Sequence, residues 1–125
     1  MANLGDRFFV EVNSYIRGIH AYDRNWKPHV GEILQLQREP DNPKDSFAVA
    51  VHKQADIKGH VPRRLSHLFS TFLQRDFSEG EAEVTGERLN RGAGYGVEVP
   101  CKYRLFGKKL YLDRLQKLCD NMKLH

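Results

Sequence analysis

Three carboxylates stand close together in the segment EPDNPKD, which spans residues 39–45: Glu39, Asp41 and Asp45. Carboxylates grouped in this way can hold Mg²⁺ for phosphodiester hydrolysis, provided that ordered strands position them. The two prolines of the segment instead predict a tight turn, in which Asp and Asn side chains hydrogen-bond to their own backbone. For Asp41 we favour this second interpretation. For Asp45, which comes just before an apolar run, a structural and a functional role are equally open.

The sequence contains none of the common short motifs of enzymes. It has no P-loop, no GxGxxG, no GxSxG, no HExxH and no CxxC. The histidines stand at positions 20, 29, 52, 60, 67 and 125, without the spacing of metal ligands. We therefore expect no catalytic residue, no bound metal and no cofactor. Cys101 and Cys119 are expected to stay reduced and to pack as small apolar side chains.

Basic and aromatic side chains offer a different chemistry, the binding of a polyanion. Arg24, His60 and Arg63 can contact phosphates, and Arg63 also lies where a helix is predicted to begin, so that unpaired backbone N–H groups attract anions. Trp26 offers a flat face to an unstacked base. Asp45 can accept a hydrogen bond from a terminal hydroxyl but repels a terminal phosphate. The alternatives are a core position for Trp26, a hydrogen-bonded strand residue for His60 and a solvated helix face for Arg63.

The bulk composition indicates one ordinary globular domain with a mild basic excess. Among 125 residues there are 20 Lys and Arg against 16 Asp and Glu, a net charge of +4, and 40% are hydrophobic. This charge permits nucleic-acid binding without requiring it. No apolar run approaches the ~20 residues of a membrane span, and the first residues, MANLGDRFFVEV, resemble neither a secretion signal nor a transit peptide. We expect an intracellular protein that binds no membrane.

Apolar periodicity predicts the elements that must position these side chains. Alternating patterns predict strands over residues 8–19, 33–36, 47–51, 56–61, 81–88 and 97–106. Pro62 is expected to begin an amphipathic helix, and Gly80 to end that segment. A glycine-rich hairpin loop is predicted over residues 86–96 and a second helix over 109–123. The result is a mainly β protein of about six strands and two helices. We expect these strands to form a small β-barrel, with one helix between strands and one at the C-terminus.

Four segments, in this order and with these gaps, resemble the HIRAN domain: RGIHAYDRNWKP, LQREPDNPKDSFAVAV, GHVPRR and PCKYRLFGKK. The resemblance covers about residues 14–109 of a single domain spanning 1–125, and leaves a C-terminal amphipathic helix at 110–125. That family is found at the N-terminus of replication-fork remodelling helicases and also in proteins without a motor. The resemblance implies a modified OB-like barrel that binds single-stranded DNA by capturing a free 3′-hydroxyl end.

The resemblance also implies a set of DNA-contacting residues. The matching positions are Arg24, Asn25, Trp26, Asn42, Lys44, Asp45, His60 and Arg63. The family's basic residue and aromatic pair fall on the first three of these. By the same resemblance Asp45 reads the end of the strand, with Asn42 in the same turn, while His60 and Arg63 face the phosphates.

Three departures from the family remove aromatic rings from this set. Asn25 replaces one ring of the pair, Lys44 stands where a ring is seen beside the Asp, and Val97 lacks the late stacking ring. Tyr95, two residues earlier on the late hairpin, is the nearest substitute, and Tyr22 is another. Fewer stacking faces predict binding that is weaker, more dependent on salt, or directed at a different nucleic-acid end.

Three functional hypotheses follow. The first is a non-catalytic, monomeric, nuclear module that binds single-stranded DNA with a free 3′ end in DNA repair or replication, with a larger repair protein or helicase as a further partner. The second is a protein-interaction module that keeps the fold without the DNA, and docks a partner through Leu112 or Leu118. The third is a metal-dependent nuclease using Asp23, Asp41 and Asp45.

Overall fold

The computed structural model describes residues 2–4, 7–19, 25–90 and 96–123, which form eight strands and two helices. In chain order these are β1 (Ala2–Leu4), β2 (Arg7–Ile16), β3 (Ile33–Arg38), β4 (Val49–Lys53), β5 (Asp56–His60), α1 (Arg63–Leu73), β6 (Glu79–Val84), β7 (Leu89–Asn90), β8 (Val97–Phe106) and α2 (Lys109–Lys123). The predicted fold class, mainly β with one helix between strands and one at the C-terminus, is confirmed. Neither of these two helices is long and apolar enough to cross a bilayer.

The strands pair antiparallel in the order β1-β2-β8-β6-β3-β4-β5, and β7 adds to β8. One isolated bridge joins β5 back to the segment after β2 within the described residues: Arg17 and His60 exchange backbone hydrogen bonds of 2.9 and 2.7 Å. The sheet therefore curls like a barrel, but this single bridge takes the place of the continuous ladder that a closed barrel would have.

A glycine makes this bridge sterically possible. A Cβ atom at Gly59 would lie 2.5 Å from the carbonyl oxygen of Arg17 and 2.7 Å from Cγ2 of Ile16. The nearer atom belongs to the backbone, so it cannot rotate away from an added methyl group. Glycine is thus required here by the close approach of two chain segments.

The apolar core lies between the sheet and the two helices, and its side chains come from five strands, from both helices and from the segments between them. Phe69 of α1 meets Tyr103 of β8 edge-on, with ring centroids 5.4 Å apart. The Tyr103 hydroxyl donates a hydrogen bond of 2.6 Å to the carbonyl oxygen of Tyr15, so its buried polar atom is satisfied. Leu112 is fully buried in this core, whereas Leu118 is 47% exposed. Of the two leucines predicted to dock a partner, Leu118 alone faces solvent.

The strand predicted over residues 47–51 begins two residues late. β4 starts at Val49, and Phe47 lies in the preceding turn with 43% of its surface exposed. The first long strand likewise ends earlier than predicted, at Ile16. Before β4, the backbone N–H of Phe47 is bonded to the Asp45 side chain, and after Ile16 the chain leaves β8 and pairs with β5 at Arg17.

The prediction that Gly80 ends the first helical segment is wrong. α1 ends at Leu73, and Gly80 is a buried residue of β6. A Cβ atom there would approach side-chain atoms of Leu36 and Leu105 to 2.8 and 2.9 Å, so this glycine makes room for core packing. β6 itself covers Glu79–Val84 rather than 81–88, and the short strand β7 follows inside the predicted hairpin loop.

Candidate nucleic-acid interface

The turn between β3 and β4 is shaped by its own side chains. Oδ1 of Asn42 accepts hydrogen bonds from the backbone N–H groups of Lys44 at 2.9 Å and Asp45 at 3.3 Å. Oδ1 of Asp45 accepts one from the N–H of Phe47 at 2.9 Å. These are the bonds that the Pro, Asn and Asp content of the turn predicts. Asp45 therefore has a structural role through one oxygen, and its side chain remains partly accessible to solvent.

Glu39 links this turn to the end of β5. Its Oε1 atom lies 2.5 Å from Nε2 of His60 and accepts a hydrogen bond of 3.2 Å from Nδ2 of Asn42. Three of the predicted site residues, Asn42, Asp45 and His60, thus lie in one hydrogen-bonded network. The sequence pattern assigns Glu39 only to the turn, because its contact with His60 crosses 21 residues of chain.

An exposed aromatic pair borders the turn. The ring of Phe47 packs on that of His67 from α1, with centroids 4.2 Å apart and planes inclined by 36°. The backbone N–H of Phe47 donates a hydrogen bond to Asp45, so the predicted end-reading carboxylate holds the residue that carries this ring. The sequence pattern predicts Phe47 inside a buried strand and therefore does not identify it as an exposed ring at the site. The signal that could have found it is the Asp two residues earlier, whose side chain favours a turn at that point.

Arg63 and Arg64 are exposed in the first turn of α1, which Pro62 precedes. That turn contains no acidic residue and has no side-chain cap. Unpaired N–H groups and two cations therefore coincide at one helix end, only three residues after His60.

Trp26 occupies a core position, one of the two interpretations that the sequence leaves open. Its side chain is 8% exposed and packs in the main apolar cluster. It also hydrogen-bonds Glu32, and its carbonyl oxygen accepts a bond of 2.9 Å from Nη1 of Arg88. The indole face is thus covered by the protein itself, while the neighbouring Asn25 is exposed.

Two of the predicted contact residues, Arg24 and Tyr95, lie outside the described residues, as does Asp23 of the nuclease hypothesis. Within the described ranges, no group of three or more His, Cys, Asp or Glu side chains is arranged to hold a metal ion. Asp41 is exposed in the turn.

The sequence model of the HIRAN domain matches residues 7–105. The fold is similar to the crystal structure of the HIRAN domain of human HLTF, with a TM-score of 0.66 and 21% identity over 84% of this chain and 82% of that one. It is also similar to the NMR structure of the HLTF HIRAN domain in its DNA-bound conformation, with a TM-score of 0.63 and 19% identity over 93% and 91%.

A protein from Lactobacillus plantarum has a TM-score of 0.57 and 20% identity, over 81% of this chain and 99% of that one. No curated protein sequence matches the chain. At identities of 19–21% these structures establish a shared fold.

Proposed function

The chain belongs to the HIRAN domain family, and we propose that it binds single-stranded DNA at a free 3′ end without catalysing a reaction. One similar structure is a HIRAN domain in a DNA-bound conformation, which supports DNA as the ligand. The observation that carries the proposal is the network through which Glu39 connects the Asn42–Asp45 turn to His60.

In this proposal Asp45 selects the end of the strand. The bond from the Phe47 N–H to its Oδ1 atom fixes the direction of the carboxylate. A 3′-hydroxyl can donate a hydrogen bond to that group, whereas a 3′-phosphate brings a like charge. Two unit charges 4 Å apart near a protein surface repel by about 4 kcal/mol, before screening by salt. Discrimination by charge is therefore large enough to measure.

Arg63 supplies the attraction for phosphate, because it is an exposed cation on the uncapped first turn of α1. Glu39 is a positioning residue: it holds His60 and Asn42 but contacts no DNA in this proposal.

Phe47 provides the stacking face that this chain lacks at Asn25, Lys44 and Val97. Phe47 is a large exposed side chain two residues after Asp45, and the ring of His67 packs against it. Stacking of one base on an aromatic side chain contributes about 1–3 kcal/mol. The buried Trp26 has no part in this contact.

The test compares two 5′-labelled oligonucleotides that differ only in a 3′-hydroxyl or a 3′-phosphate, with binding followed by fluorescence anisotropy. We expect tighter binding of the hydroxyl end. Asp45→Asn, which keeps an acceptor for the Phe47 N–H but removes the charge, should abolish the preference. Asp41→Asn in the same turn is the control and should keep it. Equal affinity of the natural protein for both ends would overturn end selection, and no binding at low salt would overturn DNA binding.

The remaining parts of the proposal have separate tests. End-labelled DNA incubated with the protein and Mg²⁺ or Mn²⁺ should keep its length, and shortening would overturn the absence of catalysis. If the protein is a monomer, it should elute from a size-exclusion column at the mass of one chain. A role in repair or replication predicts nuclear localisation of the tagged protein in a eukaryotic cell.

A further inference from the structure

A second surface lies between the two helices, and it adjoins the β3–β4 turn through His67, which packs on Phe47. A groove of about 340 Å³ separates α1 from α2. Its apolar lining comes from both helices: Leu68, Phe72, Tyr111, Leu115 and Leu118. Leu118 is 47% exposed although it points into this groove.

Cations border the groove. Arg75, just after α1, and Arg114 of α2 both line it, and the guanidinium of Arg75 lies 4.8 Å from the centroid of the Tyr111 ring. No carboxylate lines the groove among the described residues, and α1 itself contains no Asp or Glu. The groove therefore combines an apolar floor with a positive rim.

The groove is distinct from the proposed DNA-end site. Its α2 wall, Lys109–Lys123, lies beyond the residues 7–105 that match the HIRAN domain. Three leucines line it, and neither of its two aromatic rings is open to a base: Phe72 is buried, and the guanidinium of Arg75 lies over Tyr111. A single DNA strand is thus a poor match for this surface, although His67 touches both the groove and Phe47.

We propose that this groove binds an acidic amphipathic helix of a partner protein. A helix enters a groove with apolar side chains spaced at i, i+3 or i+4, and i+7, and it carries its polar residues along the rim. Leu68, Leu115 and Leu118 receive the apolar side chains. Arg75 and Arg114 pair with Asp or Glu on the flanks of the bound helix, which sets the sign of its charge.

The probe is a displayed library of random 16-residue peptides, selected on the full chain and counter-selected on Leu118→Glu. Enriched peptides should be net negative, with apolar residues at helical spacing. The best peptide, made synthetically, should bind Leu118→Glu and Arg114→Glu at least about tenfold more weakly. The matched control is Leu110→Glu, because Leu110 is 59% exposed on α2 but does not line the groove. Its affinity for the peptide should equal that of the natural protein.

Several results would overturn this proposal. In the selection, these are enrichment of basic or non-periodic peptides, or no enrichment over the counter-selection. With the synthetic peptide, they are an equal loss of affinity in Leu110→Glu, or equal binding of a twin peptide that has Lys at each acidic position. Leu118→Glu should keep its melting temperature and its affinity for the oligonucleotides. A tenfold loss of oligonucleotide binding in that variant would assign the groove to DNA instead. Absence of DNA binding by the natural protein would leave the peptide result unaffected, so the two proposals fail separately.

Discussion

The Nε2 atom of His60 lies 2.5 Å from the Oε1 atom of Glu39, across the gap between the end of β5 and the β3–β4 turn. The same oxygen accepts a hydrogen bond from Asn42. One carboxylate therefore positions a proposed phosphate contact and the residue that shapes the proposed end-reading turn.

Glu39→Ala should weaken oligonucleotide binding by about three- to tenfold, since loss of one hydrogen-bond partner costs about 1 kcal/mol. The preference for a 3′-hydroxyl should persist, because Asp45 is unchanged. Glu39→Gln keeps an acceptor oxygen and should restore most of the affinity. Anisotropy titrations of both variants check this. Failure of Gln to restore binding, with the fold intact, would refute a positioning role.

Arg63→Ala should weaken binding to both kinds of end alike, because Arg63 contacts phosphate in the proposed function. The slope of log affinity against log salt should fall by about 0.7, the value for one phosphate on a single strand. Titration at several salt concentrations measures it. Lys117→Ala, an exposed cation of α2, serves as the control and should leave the slope unchanged. An unchanged slope for Arg63→Ala would place the phosphates elsewhere.

Phe47→Ala should reduce affinity by about 5- to 150-fold if the terminal base stacks on this ring, as expected from about 1–3 kcal/mol. An oligonucleotide with 2-aminopurine at its 3′ end should lose fluorescence on binding the natural protein and regain it with this variant. Phe77→Ala is the matched control, since Phe77 is 84% exposed and lies against Lys108 rather than the turn. Equal quenching by Phe47→Ala and the natural protein would contradict stacking.

Gly59→Ala should destabilise the fold by about 1–3 kcal/mol, the usual cost of overpacking. The added Cβ would lie 2.5 Å from the Arg17 carbonyl oxygen and so force the Arg17–His60 bridge apart. Urea unfolding followed by circular dichroism measures the loss. Gly86→Ala, whose Cβ would meet the Pro100 side chain at 3.2 Å, is the comparison and should cost less. A neutral Gly59→Ala would show that the bridge is dispensable.

Because the thiol of Cys101 is buried, the free energy of unfolding should fall as the pH rises above 9. Burial raises its pKa to about 12 from an ordinary value of 9.0, against the weaker effect of a hydrogen bond with Tyr103. The unfolded chain therefore ionises this thiol first, and the stabilisation present below pH 9 is lost as the pH rises towards 12.

By pH 10 the natural protein should have lost about 1 kcal/mol of unfolding free energy that Cys101→Ala does not lose. The reason is that each pH unit between the two pKa values is worth about 1.4 kcal/mol. Urea midpoints of both proteins between pH 8 and pH 10 check this. Parallel pH profiles for the two proteins would refute the assignment.

Local patterns were enough to predict much of this protein. The strand Val97–Phe106 and the helix Lys109–Lys123 have the predicted bounds, because apolar periodicity and flanking glycine act over neighbouring residues. The turn built by Asn42 and Asp45 was predictable for the same reason, since its bonds span two or three residues. The order of four motifs was sufficient to indicate the family.

Tertiary structure alone decided which of these side chains meet. It buries Trp26, exposes Phe47 against His67 of another element, and brings Glu39 to His60. It also leaves the sheet open, with one bridge between β5 and the segment after β2 in place of the closed barrel that the sequence predicts. Each outcome depends on how strands distant in the chain pack against each other, and periodicity along the sequence carries no information about those distances.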